Sequence, residues 1–232
     1  MPPSISIVFP MYNEEAYIHR AVRAAHAALA EITNDYEIVI VDDASSDRTG
    51  AIADELARAD PRIRVVHNAR NRKLGGTLRA GYGVATKDLI AYTDADLPFD
   101  LLELRRAVRL LEYQEADVLS AYRFDRTSEG FIRTLYSLVY NTLIRVLFGL
   151  RVKDVNFSFK LFRRGLLQKM TLKSEGSLID AEFLLRAKKA GADIIQIGVD
   201  YFPRSRGIST LSSPGVILKI LRELFALWGE LR

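Results

Sequence analysis

The chain of 232 residues is 49% hydrophobic and 27% charged, with three His and no Cys, a composition typical of soluble globular proteins. The missing cysteines exclude a disulfide framework, a thiolate metal site and a cysteine nucleophile, and His19, His26 and His67 are too scattered for a histidine-built zinc centre. The net charge of +4 is too mild to point to nucleic acid.

No segment approaches the roughly 18 to 20 apolar residues that cross a bilayer. Met1-Pro2-Pro3-Ser4 leads directly into Ile5-Ser6-Ile7-Val8-Phe9 without a basic n-region or small-residue cleavage site, so the N-terminus reads as a first strand, and a cytoplasmic location is the default expectation. Short β-branched runs at Ser4–Phe9, Tyr36–Val41, Arg62–His67 and Asp88–Thr93 predict strands, and helical spacing covers Glu15–Ile32, Asp47–Arg58, Gly76–Ala85 and Asp100–Tyr113. This βαβ series predicts an α/β fold, a Rossmann-like, mostly parallel sheet with helices on both faces. Further on, the pattern gives a strand at Asp117–Tyr122, a long helix over Glu129–Leu150 and a strand at Asn156–Phe162. A helix over Ser177–Ala190, a strand at Asp193–Tyr201 and a closing amphipathic helix over Pro214–Trp228 complete the chain. No linker or repeat divides it, so one domain over 1–232 is the simplest account.

In open parallel sheets, ligands bind beyond the carboxyl ends of the strands, where this chain carries three polar clusters. They are Pro10-Met11-Tyr12-Asn13-Glu14, the run from Asp42 to Thr49, and Asp94-Ala95-Asp96. Ser46 and Asp47 read equally well as N-caps of the following helix. Capping does not explain the adjacent Asp42 and Asp43, which repel one another and call for donors such as base N–H or ribose hydroxyl groups. Asp94 and Asp96, two apart at a strand end, are suited to a hard cation, Mg2+ or Mn2+, whose shell a diphosphate completes. A bare D-x-D also marks ordinary solvated turns.

These clusters, together with Asn71-Arg72-Lys73-Leu74-Gly75-Gly76 and Arg79-Ala80-Gly81, resemble in order and spacing the signatures of family 2 inverting glycosyltransferases of GT-A fold. Ser120-Ala121-Tyr122-Arg123, Tyr140-Asn141, the Asp154–Arg163 run, Glu182 and Arg204–Ser209 extend the likeness to the dolichyl- or polyprenyl-phosphate sugar synthase branch. The resemblance implies a nucleotide-sugar-binding half (1–116), an acceptor-binding half (117–212) and a C-terminal amphipathic helix (213–232). By it, Pro10, Tyr12, Glu14, Asp42 and Asp43 contact base and ribose, and Asp94, Ala95 and Asp96 hold the nucleotide diphosphate through the cation. Arg123, Arg133 and Ser137 seat the acceptor phosphate, Arg204 serves the phosphates, and Glu182 lies near the reacting centre. The chain departs from the branch at Pro98, where a Gln often completes the metal shell, and at Thr210, where a Lys is usual; Arg206 is the candidate substitute for that Lys.

The implied activity is transfer of one hexose from a nucleotide-sugar, with GDP-mannose and UDP-glucose as leading donors, to a polyprenyl phosphate at the cytoplasmic face of the membrane. A phosphate monoester is already anionic and needs no protein base. A sugar-hydroxyl acceptor would need one, with Asp180 or Glu182 as candidates. The segment Phe131–Lys153 carries Arg133, Arg145, Arg151 and Lys153, no acid within Phe131–Lys153, and an apolar band. It fits either an interfacial helix on a membrane surface or a helix packed on the sheet, and the closing helix offers the same choice or a membrane-anchoring partner. A non-catalytic nucleotide-binding module that recruits a partner to membranes is the alternative from another class.

Overall fold

Alternation along the first strands sets the architecture. Ile5, Ile7 and Phe9 of β1 (Ile5–Met11) and Ile38 and Ile40 of β2 (Tyr36–Asp42) enter one core. Val8, Val39 and Val41 enter a second core on the opposite face, as the two-residue period of a strand requires. A sheet apolar on both faces must be covered on both faces. α1 (Ile18–Ala30), α2 (Thr49–Ala59) and α4 (Glu103–Tyr113) cover the first core, while α3 (Lys73–Val84), α5 (Phe131–Phe148) and α6 (Ile179–Lys189) contribute to the second.

The computed structural model describes residues 2–125, 131–203 and 222–231, with the side chains of 131–133 excepted. Its seven-stranded sheet runs β3-β2-β1-β4-β6-β5-β7, adding β3 (Ile63–His67), β4 (Leu89–Tyr92), β5 (Val118–Arg123), β6 (Lys160–Arg163) and β7 (Ile194–Val199). All pairings are parallel except those of β6, which runs antiparallel to β4 and β5. Strand order reverses between β1 and β4, a switch point where a crevice opens beyond the strand ends.

The predicted strand at Asn156–Phe162 begins only at Lys160. The Phe157 carbonyl accepts the Phe159 N–H at 2.9 Å and a bond from Lys160 Nζ, closing a tight turn in place of extended chain. The predicted closing helix lies outside the described residues up to 221. Its described part is helical over 222–226 and again in α7 (Trp228–Leu231). That part packs: Leu224 and Leu231 are buried and Trp228 meets Phe148 with ring centroids 5.0 Å apart.

α3 approaches its neighbours closely through glycines. A Cβ on Gly81 would lie 2.5 Å from Val8 Cγ1, and one on Gly75 would lie 2.3 Å from the Ser174 carbonyl oxygen. Gly75 and Gly76 donate their N–H groups to the Glu175 carbonyl at 2.9 and 3.3 Å, so the glycines seat the 174–175 loop on the start of α3. Gly75→Ala is expected to destabilise the fold by about 1–3 kcal/mol, since backbone cannot yield to the methyl group. Gly83→Ala, with open space around its Cβ, is expected to stabilise by about 0.4–1 kcal/mol. Urea denaturation of the two variants checks the contrast.

Candidate active site

β1, β2 and β4 end side by side, with Met11 opposite Asp42 and Val8 opposite Tyr92, which brings the three polar clusters to one edge. The backbone there is bent into unusual conformations. Of the five non-glycine residues with left-handed φ among the described residues, Asn13, Ala44, Lys73 and Leu97 sit in the loops of this edge or at the start of α3. Such conformations cost about 1–3 kcal/mol each and concentrate at functional sites.

The first two clusters brace one another. Asn13 donates its N–H to Ser45 Oγ at 3.0 Å and accepts the Ser46 N–H at 2.8 Å, and Glu14 donates its N–H to Thr49 Oγ1 at 2.8 Å. Neither residue read as an N-cap is one: Arg48 holds that position in α2 without a side-chain bond, Asp47 just before it accepts the Thr49 N–H at 2.9 Å, and Ser46 bonds Asn13. Tyr12 is 50% exposed, presenting its ring at the mouth. Pro10 continues β1 opposite Val41.

Asp42 and Asp43 are both buried, and the donors that order them come from the protein. Asp42 accepts the Ser45 N–H at 3.1 Å and pairs with His67 Nδ1 at 2.9 Å. Asp43 Oδ1 accepts Asn68 Nδ2 at 2.7 Å and the Arg72 N–H at 2.8 Å. The chain itself supplies donors to both acids, from the loop after β2, from β3 and from the loop after β3. His67 also meets Asp54 at 2.9 Å, and the bonds to Asp54 and Asp42 raise its pKa.

The third cluster is different. After β4 the chain turns tightly, Leu97 N–H donating to the Asp94 carbonyl at 3.2 Å, so that Asp94 and Asp96 flank one turn. Asp94 is raised to about 7 by burial first, then by Asp96, with Asp180 and Glu14 adding to the rise and the Ser158 hydroxyl opposing it. A crowded, desolvated carboxylate of this kind is stabilised by a proton or a cation. Among the described residues no group of three or more His, Cys, Asp or Glu gathers to cage an ion, and Pro98 offers no side-chain oxygen. The donor set therefore fits a hard cation that takes two carboxylates here and its remaining oxygens from water or phosphate.

On the other side of the edge, Arg123 at the end of β5 forms a fork with Asp154, Nε to Oδ2 at 2.8 Å and Nη2 to Oδ1 at 3.1 Å. Its guanidinium carbon lies 5.5 Å from the Phe157 ring centroid and 5.3 Å from that of Tyr201. Ser137 accepts Asn141 Nδ2 at 3.3 Å, and Asn141 Oδ1 in turn accepts the Val155 N–H at 3.0 Å, which ties α5 to the segment carrying Asp154. Arg133 lies on α5, with its side chain outside the described residues, as are Arg204, Arg206 and Thr210.

Glu182 is 0% exposed. It accepts the N–H groups of Lys173 and Ser174 and Arg186 Nε at 2.7–3.0 Å, so it holds the 173–174 loop against α6. The acid of this helix that faces the D-x-D side is Asp180. It accepts Tyr92 Oη at 3.2 Å, pairs with Lys160 Nζ at 3.4 Å, and is itself raised, chiefly by burial. Sequence reasoning missed Lys160 and Tyr92 and left Asp180 open. The available signal was a lysine inside the apolar run Phe157–Phe162, since Lys is almost never fully buried unless paired.

An α/β sheet of this order with a D-x-D turn at its switch point has the GT-A arrangement. A family model described as glycosyl transferase family 2 matches residues 6–171, and the chain belongs to that family. It is 29% identical over 234 residues to glycosyltransferase AglD of Haloferax volcanii, covering 98% of this chain and 37% of that protein. It is 28% identical over 223 residues to polyprenol monophosphomannose synthase of Mycolicibacterium smegmatis, covering 90% and 82%. With dodecaprenyl-phosphate galacturonate synthase of Rhizobium johnstonii it shares 31% over 172 residues, covering 74% of this chain and 51% of that one. The chain thus spans about half or less of two of these three relatives.

Among solved structures, glucosyl-3-phosphoglycerate synthase of Mycobacterium tuberculosis matches with a TM-score of 0.72 at 22% identity, over 95% of this chain and 79% of that one. Mannosyltransferase PcManGT of Pyrobaculum calidifontis, solved with GDP-Man and Mn2+, matches with a TM-score of 0.69 at 19% identity, over 97% and 65%. This likeness concerns the fold.

The Asp94 carboxyl holds its proton more tightly folded, up to about 7, than unfolded, near its ordinary value of about 4. Its contribution to stability is present in acid and is lost as pH rises between those values. In chelator, Asp94→Asn is expected to be more stable than the parent above pH 7, the difference vanishing towards pH 4; calorimetry across that range measures it.

Proposed function

We propose that the protein transfers a hexose from a nucleoside-diphosphate sugar to a polyprenyl phosphate with inversion, in a reaction that depends on Mg2+ or Mn2+. The observation that carries this reading is the Asp94–Asp96 turn at the switch point, with the Asp94 carboxyl raised by burial first and then by Asp96. The relatives named as polyprenyl-phosphate sugar synthases support the acceptor class, and the neighbour solved with GDP-Man and Mn2+ supports the donor and ion.

Asp94 and Asp96 are the residues that would hold the ion, which when bound supplies positive charge for the departing nucleoside diphosphate. Tyr12 presents an exposed ring to the base, and the braced loops after β1 and β2 keep the mouth rigid. Arg123, backed by the Phe157 and Tyr201 rings, and Arg133 and Ser137 on α5 orient the acceptor. Arg204 and Arg206 add positive charge from the segment after β7. A phosphate oxygen bonds to the anomeric carbon from one side as the bond to the diphosphate breaks on the other, its electron pair leaving with the diphosphate. The acceptor has a second pKa near 6 and attacks as a dianion without a base. The sugar-hydroxyl alternative would need a carboxylate base, and both candidates are engaged: Glu182 by Lys173, Ser174 and Arg186, and Asp180 by Tyr92 and Lys160.

α5 supports membrane contact. Leu135, Tyr136, Leu138, Val139 and Val146 are exposed, Val146 by 74%, while Ile144 is buried in the second core. The helix therefore packs with one face and offers an apolar strip with the other, the form of a helix lying in the headgroup layer of the cytoplasmic leaflet. No helix among the described residues is long and apolar enough to cross a membrane.

Incubation with GDP-mannose or UDP-glucose, Mn2+ and a short polyprenyl phosphate is expected to yield a glycolipid, and Asp94→Asn or Asp96→Asn to lower turnover by about 100-fold or more. Absence of glycolipid with every donor tried sinks the reading and leaves a non-catalytic binding module. Leu138→Glu with Val146→Glu is expected to reduce sedimentation with anionic vesicles while leaving the melting temperature within about 2 °C of the parent, since exposed sites are nearly neutral for stability.

A further inference from the structure

Lys160 is 1% exposed and Asp180 4%. An apolar pair of similar volume in place of such a buried ion pair is often as stable or more so. The pair sits where three elements meet. Lys160 opens β6 and lies opposite Tyr92, the last residue of β4, and Asp180 on α6 accepts the Tyr92 hydroxyl. Lys160 Nζ also bonds the Phe157 carbonyl. That turn has two outlets. The Phe157 ring backs the Arg123 guanidinium, and the next residue, Ser158, is buried beside the Asp94 carboxylate.

From this juxtaposition we infer that Lys160 is a positioning residue: anchored by Asp180 and Tyr92, it clamps the Phe157–Ser158 turn and so sets the Ser158 hydroxyl against Asp94 and the Phe157 ring against Arg123. The inference rests on the cation reading of Asp94 and Asp96. Its effect is one of position and not of net charge, because an Asp180 left buried without Lys160 takes up a proton. Groups that act on metal donors from behind typically change metal affinity by about 10–100-fold when lost.

The test is Mn2+ binding with nucleoside diphosphate present, followed by the electron paramagnetic resonance of free Mn2+, on the intact chain and its variants. Lys160→Met, similar in volume, is expected to weaken Mn2+ about tenfold, and Lys160→Arg to recover most of that loss. Ser158→Ala is expected to weaken Mn2+ as well, and the Lys160→Met, Ser158→Ala double variant to be no weaker than the worse single one, because both changes remove one linkage. A merely structural role for Lys160 predicts additive losses, and additive losses, or Mn2+ affinity unchanged in Lys160→Met, overturn the inference. If Lys160→Met does not fold, Tyr92→Phe takes its place in the cycle under the same criteria. Asp94→Asn is the control: Mn2+ affinity unchanged in that variant means that the cation reading itself has failed, whatever Lys160 does.

Discussion

Negative charge confined at the mouth of the sheet is the constraint around which the structure is organised. Asp94 and Asp96 flank one tight turn, and Glu14 and Asp180 add to the potential at Asp94. Asp94 and Asp96 are half-buried, so water screens their repulsion only in part. Such a site relaxes by taking up a proton or by binding positive charge, and the fold keeps both routes open: the turn is rigid, backed by a bonded strand on either side of β4. The left-handed residues gathered around it are the conformational cost of pointing several polar loops at one place.

The other acids near this edge are organised in the opposite way. Asp42 and Asp43 are satisfied by Ser45, His67, Asn68 and the Arg72 backbone, and Glu182 by the 173–174 loop and Arg186. Asp154 holds the fork of Arg123. Asp42, Asp43 and Asp154 thereby brace segments far apart in sequence, and Glu182 braces α6 to the loop just before it. These braces fix the loops around the Asp94–Asp96 turn. β6, running against its neighbours, is the element that joins β4 to β5 in one sheet.

The second half adds a surface to this centre. α5 begins beyond the Arg123 strand, buries Ile144 and leaves Leu138, Val139 and Val146 outward. The hydrogen-bond chain from Ser137 through Asn141 to Val155 links that helix to the segment carrying Asp154.

The strands, the helices that cover them and the D-x-D turn were legible in the amino-acid sequence, because period-2 and period-3.6 patterns and strand-end polar residues are local signals. The same holds for the membership of the family, carried by motifs spread from Pro10 to Ser209. Partnership was not legible. Asp42 and Asp43 called for donors, and those the protein itself supplies lie about 25 residues on in the sequence. Glu182 looked close to the chemistry and Asp180 was left undecided, because which face of α6 meets Tyr92 and Lys160 depends on how that helix docks. The turn that shortens β6 depends on a lysine folding back on its own strand. The sequence alone therefore determined which chemical groups stand at the strand ends; the tertiary structure decided which of them brace the protein and which remain under electrostatic stress, since burial and neighbouring charge arise only when distant segments pack.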